Sequence, residues 1–349
     1  MKFRLFYIPA CLFIFSFIVF GTMAAIYRYN IAHVANKAEE NGWPLVAVHF
    51  SIKDAPLAIY TLDGSSANLY TGNIEHRGSF ERMFFLDDGA LYVAGGSQSN
   101  FYRFCFPNYK SSRLSPHLIT NPFGLGSSYI GYGENFRVYY DFTNPPKMAF
   151  TDLVSGELTE LKLRSEPPWM VNAGEFRDIR LFVWRTPYYL FVAVTKLGGE
   201  YGDFGQEPHH PAEFWKYDMQ SGEWSHIIDG DAHQLFDVDP DGKFVSLKLY
   251  GGSLIVIDID SRDVILELPE GSLPSLGRRW FGCVGTIKDE KSGSRGIILF
   301  DMENSWERYE IKLPLLQWQA ATINCALFEP PLMAWRVWET SDFACASSA

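Results

Sequence analysis

The chain has 349 residues, with 30 Lys and Arg against 41 Asp and Glu for a net charge of -11. Its 47% hydrophobic and 20% charged residues hold too much apolar material for a disordered chain, and its length is enough for a sizeable core. The acidic balance argues against nucleic-acid binding, which relies on Lys and Arg to replace phosphate counterions. Aromatics at 16% and 29 glycines point to β-structure with many tight turns.

The N-terminus reads Met1-Lys2-Phe3-Arg4, then an uncharged apolar run over residues 5–26, with Arg28 the next charge. A helix needs about 20 apolar residues to cross a bilayer, so the run is long enough. Residues 1–27 are read as a signal anchor or a signal peptide. Thr22-Met23-Ala24-Ala25 fits the small-residue cleavage rule only in part, and bulky Ile18, Val19 and Phe20 favour the uncleaved anchor. Cys11 lies inside the run and not at its end, which argues against lipidation. Under both readings Lys2 and Arg4 keep the N-terminus in the cytoplasm and the remainder is exported. The expected location is the inner (cytoplasmic) membrane, crossed once, with the body in the periplasm; the alternative is secretion after cleavage. Residues 28–43 are read as a juxtamembrane helical linker, because Ile31, Val34, Ala35 and Ala38 fall at helical spacing and Gly42 and Pro44 follow. The body, residues 44–349, is acidic, so only the helix should hold it at an anionic membrane.

Of the five cysteines, Cys105, Cys283, Cys325 and Cys345 lie in the exported part. An oxidising compartment permits disulfides there without requiring them. The absence of Cys-x-x-Cys removes support for a zinc ribbon or thioredoxin-type site. No Asn-x-Ser/Thr sequon occurs, which favours a bacterial envelope.

From Pro44 onward, short alternating runs are separated by Gly, Pro, Asp and Ser, the pattern of an all-β body. A strand ending in an acid, then a turn, then another strand recurs at Asp152, Asp218, Asp258 and Asp301, with Glu339 further on and weaker equivalents near Thr61 and Phe106. The period is about 40 residues, apart from one insertion, and four strands per period is the signature of a β-propeller. The clearest unit predicts strands at 234–238, 244–249, 254–259 and 264–268, with Asp239-Pro240-Asp241-Gly242 in the first turn. This unit resembles the blades of tryptophan–aspartate-repeat and related periplasmic propellers. In those, an aspartate–glycine–lysine turn follows the innermost strand and a hydrophobic–aspartate pair ends the third. The resemblance implies a fold and no particular activity. Seven markers predict seven blades, or six if the terminal stretches merge. Closure of the ring predicts that strands near 46–50, 57–62 and 69–71 share a sheet with residues 332–338.

Asp237-Val238-Asp239-Pro240-Asp241-Gly242 looks like the start of a calcium loop, but the position that needs Glu holds Lys248, and a hairpin fits better. The repeated acids Asp152, Asp218, Asp258 and Asp301 are expected to order their turns by accepting backbone N–H bonds. His233, just before an inner strand, resembles the structural histidine of such repeats. The stretch 196–211 (KLGGEYGDFGQEPHHP) breaks the period between the second and third strands of the fourth unit. It carries the candidate binding residues Glu200, Tyr201, Asp203, Phe204, Glu207, His209 and His210, since long loops on a rigid scaffold are where function sits. Adjacent His residues on a strand point apart, so no metal is expected. No nucleophile elbow, phosphate-binding loop, His-Glu-x-x-His or dinucleotide fingerprint is present, and no cofactor is expected. The expectation is a membrane-tethered, exported β-propeller that binds a protein, or a glycan, in the envelope. The rivals are a propeller hydrolase or lyase with a site in the central funnel, and an immunity or inhibitor protein whose acidic surface suits a basic toxic enzyme.

Overall fold

The computed structural model describes residues 4–50, 57–69, 80–85, 91–95, 101–104, 111–114, 127–132, 136–141, 147–152, 156–170, 178–186, 188–197, 212–230, 232–249, 253–269, 272–288, 293–313 and 323–328. It opens with helix α1 (Arg4–Asn41). Side chains at 4–14 lie outside the described ones, so the run read as a signal anchor is covered only in part. Among the described residues, no helix is long and apolar enough to cross a membrane. The described side chains between 15 and 30 are all exposed, whereas Ile31, Val34, Ala35 and Ala38 are buried. Those four form one stripe of the helix, and α1 lays that end against the first sheet of the body. The helix stops in a Schellman motif. Gly42 N donates to Glu39 O at 3.1 Å and Trp43 N donates to Ala38 O at 2.8 Å, with Gly42 at φ 63°. A residue without a Cβ takes that left-handed conformation at least cost.

Twenty-four strands follow among the described residues. The first unit contributes β1 (Leu45–Phe50), β2 (Leu57–Tyr60) and β3 (Ser66–Leu69). The second holds β4 (Phe80–Phe85), β5 (Leu91–Gly95), β6 (Phe101–Phe104) and β7 (Ser111–Leu114). The third holds β8 (Ser127–Tyr132), β9 (Phe136–Asp141), β10 (Lys147–Asp152) and β11 (Leu158–Lys162). The fourth holds β12 (Asp178–Arg185), β13 (Tyr189–Leu197), β14 (Ala212–Asp218) and β15 (Trp224–Gly230). The fifth holds β16 (Ala232–Val238), β17 (Phe244–Leu249), β18 (Leu254–Asp258) and β19 (Val264–Leu268). The sixth holds β20 (Ser272–Leu276), β21 (Trp280–Lys288), β22 (Gly293–Asp301) and β23 (Glu307–Lys312), and the last strand is β24 (Ile323–Phe328).

Each unit is an antiparallel four-stranded run of the kind that makes a propeller blade. The third and fourth share one sheet, joined where β8 runs parallel to β12 with Leu181 opposite Gly131. The strand that completes the first unit is the last one described: the order is β24-β1-β2-β3, with Ala47 opposite Ala326 and Val48 opposite Cys325. The terminal stretches therefore do share a sheet. The pairing strand is 323–328, however, and not the expected 332–338, which lies outside the described residues. The segment Ile323-Asn324-Cys325-Ala326-Leu327-Phe328 offers the same β-type run nine positions earlier. With it the described residues hold six units, and the seventh marker, Glu339, lies outside them.

The sheets of the third to sixth units, and of the sixth and first, pack face to face. Leu190, Val192 and Val194 of β13 join Val138, Tyr140, Met148 and Phe150 of the third unit. Phe191 and Ala193, on the opposite face of the same strand, join Val245, Leu247, Ile255 and Ile257 of the fifth. Val256 and Leu254 meet Phe281, Cys283, Ile298 and Phe300 of the sixth. Trp280, Val284, Ile297 and Leu299 then meet Val46, Val48, Ala58 and Tyr60 of the first. Successive side chains on a strand point to opposite faces. A sheet covered on both sides is therefore apolar throughout, as the five consecutive buried residues 190–194 are.

Candidate functional site

The excursion at 196–211 leaves from a firmly paired stem. β13 and β14 run antiparallel from Tyr189 opposite Asp218 to Thr195 opposite Ala212. Only Lys196 and Leu197 of the excursion are described, as the last residues of β13, where they pair with Ile179 and Asp178 of β12. Glu200, Tyr201, Asp203, Phe204, Glu207, His209 and His210 lie outside the described residues. In an antiparallel meander, connections alternate between the two ends of the sheet. The link from second to third strand thus emerges at the end of the unit opposite to the turns that carry the repeated acids.

Where β14 emerges from the excursion it presents Glu213, Trp215 and, across the pair, His226. Trp215 Nε1 donates to Glu213 Oε2 at 3.0 Å, and the Trp215 and His226 rings meet edge to face at 4.8 Å. Trp169 and Trp224 continue this aromatic group, 4.7 Å apart and perpendicular. Sequence reasoning passed over Glu213 and Trp215. The period-2 pattern Glu213-Phe214-Trp215 that follows the excursion was the signal available.

The acids of the third-to-fourth-strand turns repeat in geometry as well as in sequence. Asp218 Oδ1 accepts the N–H groups of Gln220 at 2.7 Å and Ser221 at 3.0 Å, and Asp258 Oδ1 accepts those of Asp260 at 3.0 Å and Ser261 at 2.9 Å. In both turns the following serine accepts one more N–H, from Glu223 and Asp263, each at 3.2 Å. The turn then passes through the left-handed region, at Gly222 (φ 79°) and at Arg262 (φ 64°). The Ser221 and Gln220 amides hold the Asp218 carboxyl below the usual range. The main chain of the turn repeats too: Asp218 N donates to Glu223 O at 3.0 Å and its O accepts from Gly222 N at 2.8 Å, and Asp152 N donates to Glu157 O and its O accepts from Gly156 N, both at 2.9 Å. Asp301 differs. It is buried, and Arg279 grips it through Nε at 3.0 Å and a terminal nitrogen at 2.6 Å. That guanidinium holds its carboxyl low.

The Asp-rich hairpin is filled by its own backbone. Asp239 Oδ1 accepts from Phe244 N at 2.5 Å and Oδ2 from Asp241 N at 3.1 Å, and Gly242 N closes on Asp239 O at 2.9 Å. Burial pushes the Asp239 carboxyl up, against the pull of those amides. Asp237 Oδ2 accepts from Leu276 N at 2.5 Å and so ties the fifth unit to the sixth. The arrangement is that of a hairpin and an inter-sheet link. Among the described residues no group of three or more His, Cys, Asp or Glu is placed to hold a metal ion. The side chain of His233, in β16, lies outside the described ones.

No protein-family model matches this sequence, and no curated protein matches it. Solved structures share its outline. One is a protein of unknown function from Bacteroides caccae, with 8% identity and a TM-score of 0.42, covering 82% of this chain and 100% of that one. Another is a putative TolB from Agrobacterium tumefaciens, with 10% identity and a TM-score of 0.41, covering 83% and 99%. A third is apo AztD from Citrobacter koseri, with 12% identity and a TM-score of 0.40, covering 82% and 98%. Likenesses of this strength assign no activity to the chain.

Proposed function

We propose that this chain is a membrane-tethered β-propeller of six blades, exported to the periplasm, that binds a protein of the cell envelope through the excursion at 196–211. The observation that supports it most is the packing of sheet on sheet from the third unit through the sixth to the first, with the last described strand completing the first sheet. A scaffold of packed sheets fixes where a loop emerges, and long loops on such a support are where binding residues concentrate. The excursion carries aromatics and acids, Tyr201 and Phe204 beside Glu200, Asp203 and Glu207, and the first serve as contact anchors while the second select a basic partner. The tether is the apolar run at 5–26, whose basic flank stays in the cytoplasm.

The test is to replace residues 198–211 by a short Gly-Ser link. The excursion lies beyond a stem that is already paired, so the melting temperature should stay within about 2 °C of the parent. Capture of the partner from envelope extract should be lost. A shortened chain that melts with the parent and captures the same partner would move the site to the central funnel, where an enzyme would work.

A further inference from the structure

We infer that α1 is a rigid strut and not a flexible tether, so that the body is held in one pose, close against the bilayer. This rests on the membrane reading above. The helix changes character at one point. Every described side chain from 15 to 30 faces away from the rest of the chain, with Phe15, Phe20 and Met23 each more than 60% exposed. From Ile31 onward the helix is part of the body. Ile31, Ala35 and Ala38 are fully buried and Val34 nearly so, at the i, i+4, i+7 and i+3 positions of one stripe against β2 and β3.

A polar clamp lies beside the stripe. Lys37 pairs with Asp63 and donates to Ser65 Oγ at 3.1 Å. Asp63 is itself fixed in the turn between β2 and β3, accepting from Thr61 Oγ1 at 2.6 Å and from Ser65 N at 3.1 Å. A second tie is covalent. Only Gly42, Trp43 and Pro44 separate the end of α1 from β1, and the Schellman bonds fix their path. No Gly or Pro interrupts residues 27–41, so nothing in that stretch invites a hinge. From Ile26, the last residue of the apolar run, to Ile31, the first docked one, five residues rise about 7.5 Å. That distance leaves no room for the body to turn independently of the membrane span. It also assigns the edge of the first sheet, β3, to the membrane side. A partner reached through any loop is then met at a fixed height and angle.

The experiment uses the full chain in phosphatidylcholine–phosphatidylglycerol vesicles, with three readouts: flotation, hydrogen exchange over residues 31–41, and time-resolved anisotropy of a fluorophore on the body. Wild type should float, and its amides at 31–41 should exchange at least about 100-fold more slowly than those of Ala35→Asp with Ala38→Asp. The doubly charged stripe should come free and lower the melting temperature while flotation persists. Insertion of Gly-Gly-Ser-Gly after Asn30 keeps both the span and the docked stripe, so it should leave the melting temperature unchanged and speed the anisotropy decay. Flotation with a wild-type decay as fast as that of the insertion variant would overturn the strut and leave the membrane reading standing. Failure of wild type to float would overturn the membrane reading, and the strut with it.

Discussion

Asp258 and Asp301 end the third strands of neighbouring units, yet Asp258 accepts two backbone N–H bonds in an exposed turn whereas Asp301 is 2% exposed and gripped twice by Arg279. Replacing Asp258 by Ala removes a local cap and should cost about 1 kcal/mol. Replacing Asp301 by Ala also removes the two charge-assisted bonds from Arg279 to a buried carboxylate and should cost roughly 2–3 kcal/mol. Denaturant midpoints at neutral pH check the order, and equal losses would contradict it. Asp239 and Asp301 should also respond to pH in opposite senses. The carboxyl of Asp301 is lowered in the fold, so its stabilisation is present above about pH 4 and is lost as pH falls through the lowered value. That of Asp239 is raised, so its charged form weakens the fold above the raised value and the penalty vanishes in acid. Asp239→Asn should therefore be tolerated better than Asp301→Asn at pH 7, with the gap narrowing as pH falls through the lowered value of Asp301. The spacing of the acids was legible in the sequence. That Arg279, 22 residues before Asp301, would change the character of one of them was not, because pairing across a turn is a property of the fold.

Among the elements, the fifth unit was read nearly to the residue. Its second and fourth strands run Phe244–Leu249 and Val264–Leu268 as expected, and the others differ by one or two positions at one end. Turn residues bracket each of these runs, which makes their ends visible. The helical stripe of α1 was legible for the same reason: period and composition are local. The strand that pairs with β1 is 323–328 and not 332–338, because two β-type runs near the C-terminus offer the same local pattern and only long-range pairing separates them. The sixth unit offers a test of packing between elements. Gly296, in β22, lies where a Cβ would stand 2.7 Å from Ile311 O and press on Ile287. The neighbour that must move is backbone, so Gly296→Ala should cost about 2 kcal/mol. Gly42→Ala meets only the end of Arg279, at 3.6 Å, and carries the left-handed backbone cost of about 1 kcal/mol. Thermal melts that reverse this order would contradict the register of β22 with β23.

At the scale of the described body, the architecture follows from sheets whose middle strands are apolar on both faces and are covered by the neighbouring sheets. The first and sixth units meet through their apolar faces, and the last described strand, β24, takes the free edge of β1 in the first sheet. The candidate site is less legible. A loop that breaks a repeat can be seen in the sequence, but what its side chains face depends on elements far away in the chain. The most direct measurement is a short thiol cross-link between β1 and β24, which pair from opposite ends of the described body. Val48 lies opposite Cys325 in the register of β1 and β24, while Ala47 points to the other face. Val48→Cys should join Cys325 within one chain, identified by peptide mapping, and Ala47→Cys should not. Cross-linking at Ala47→Cys, or at neither position, would contradict the closed sheet.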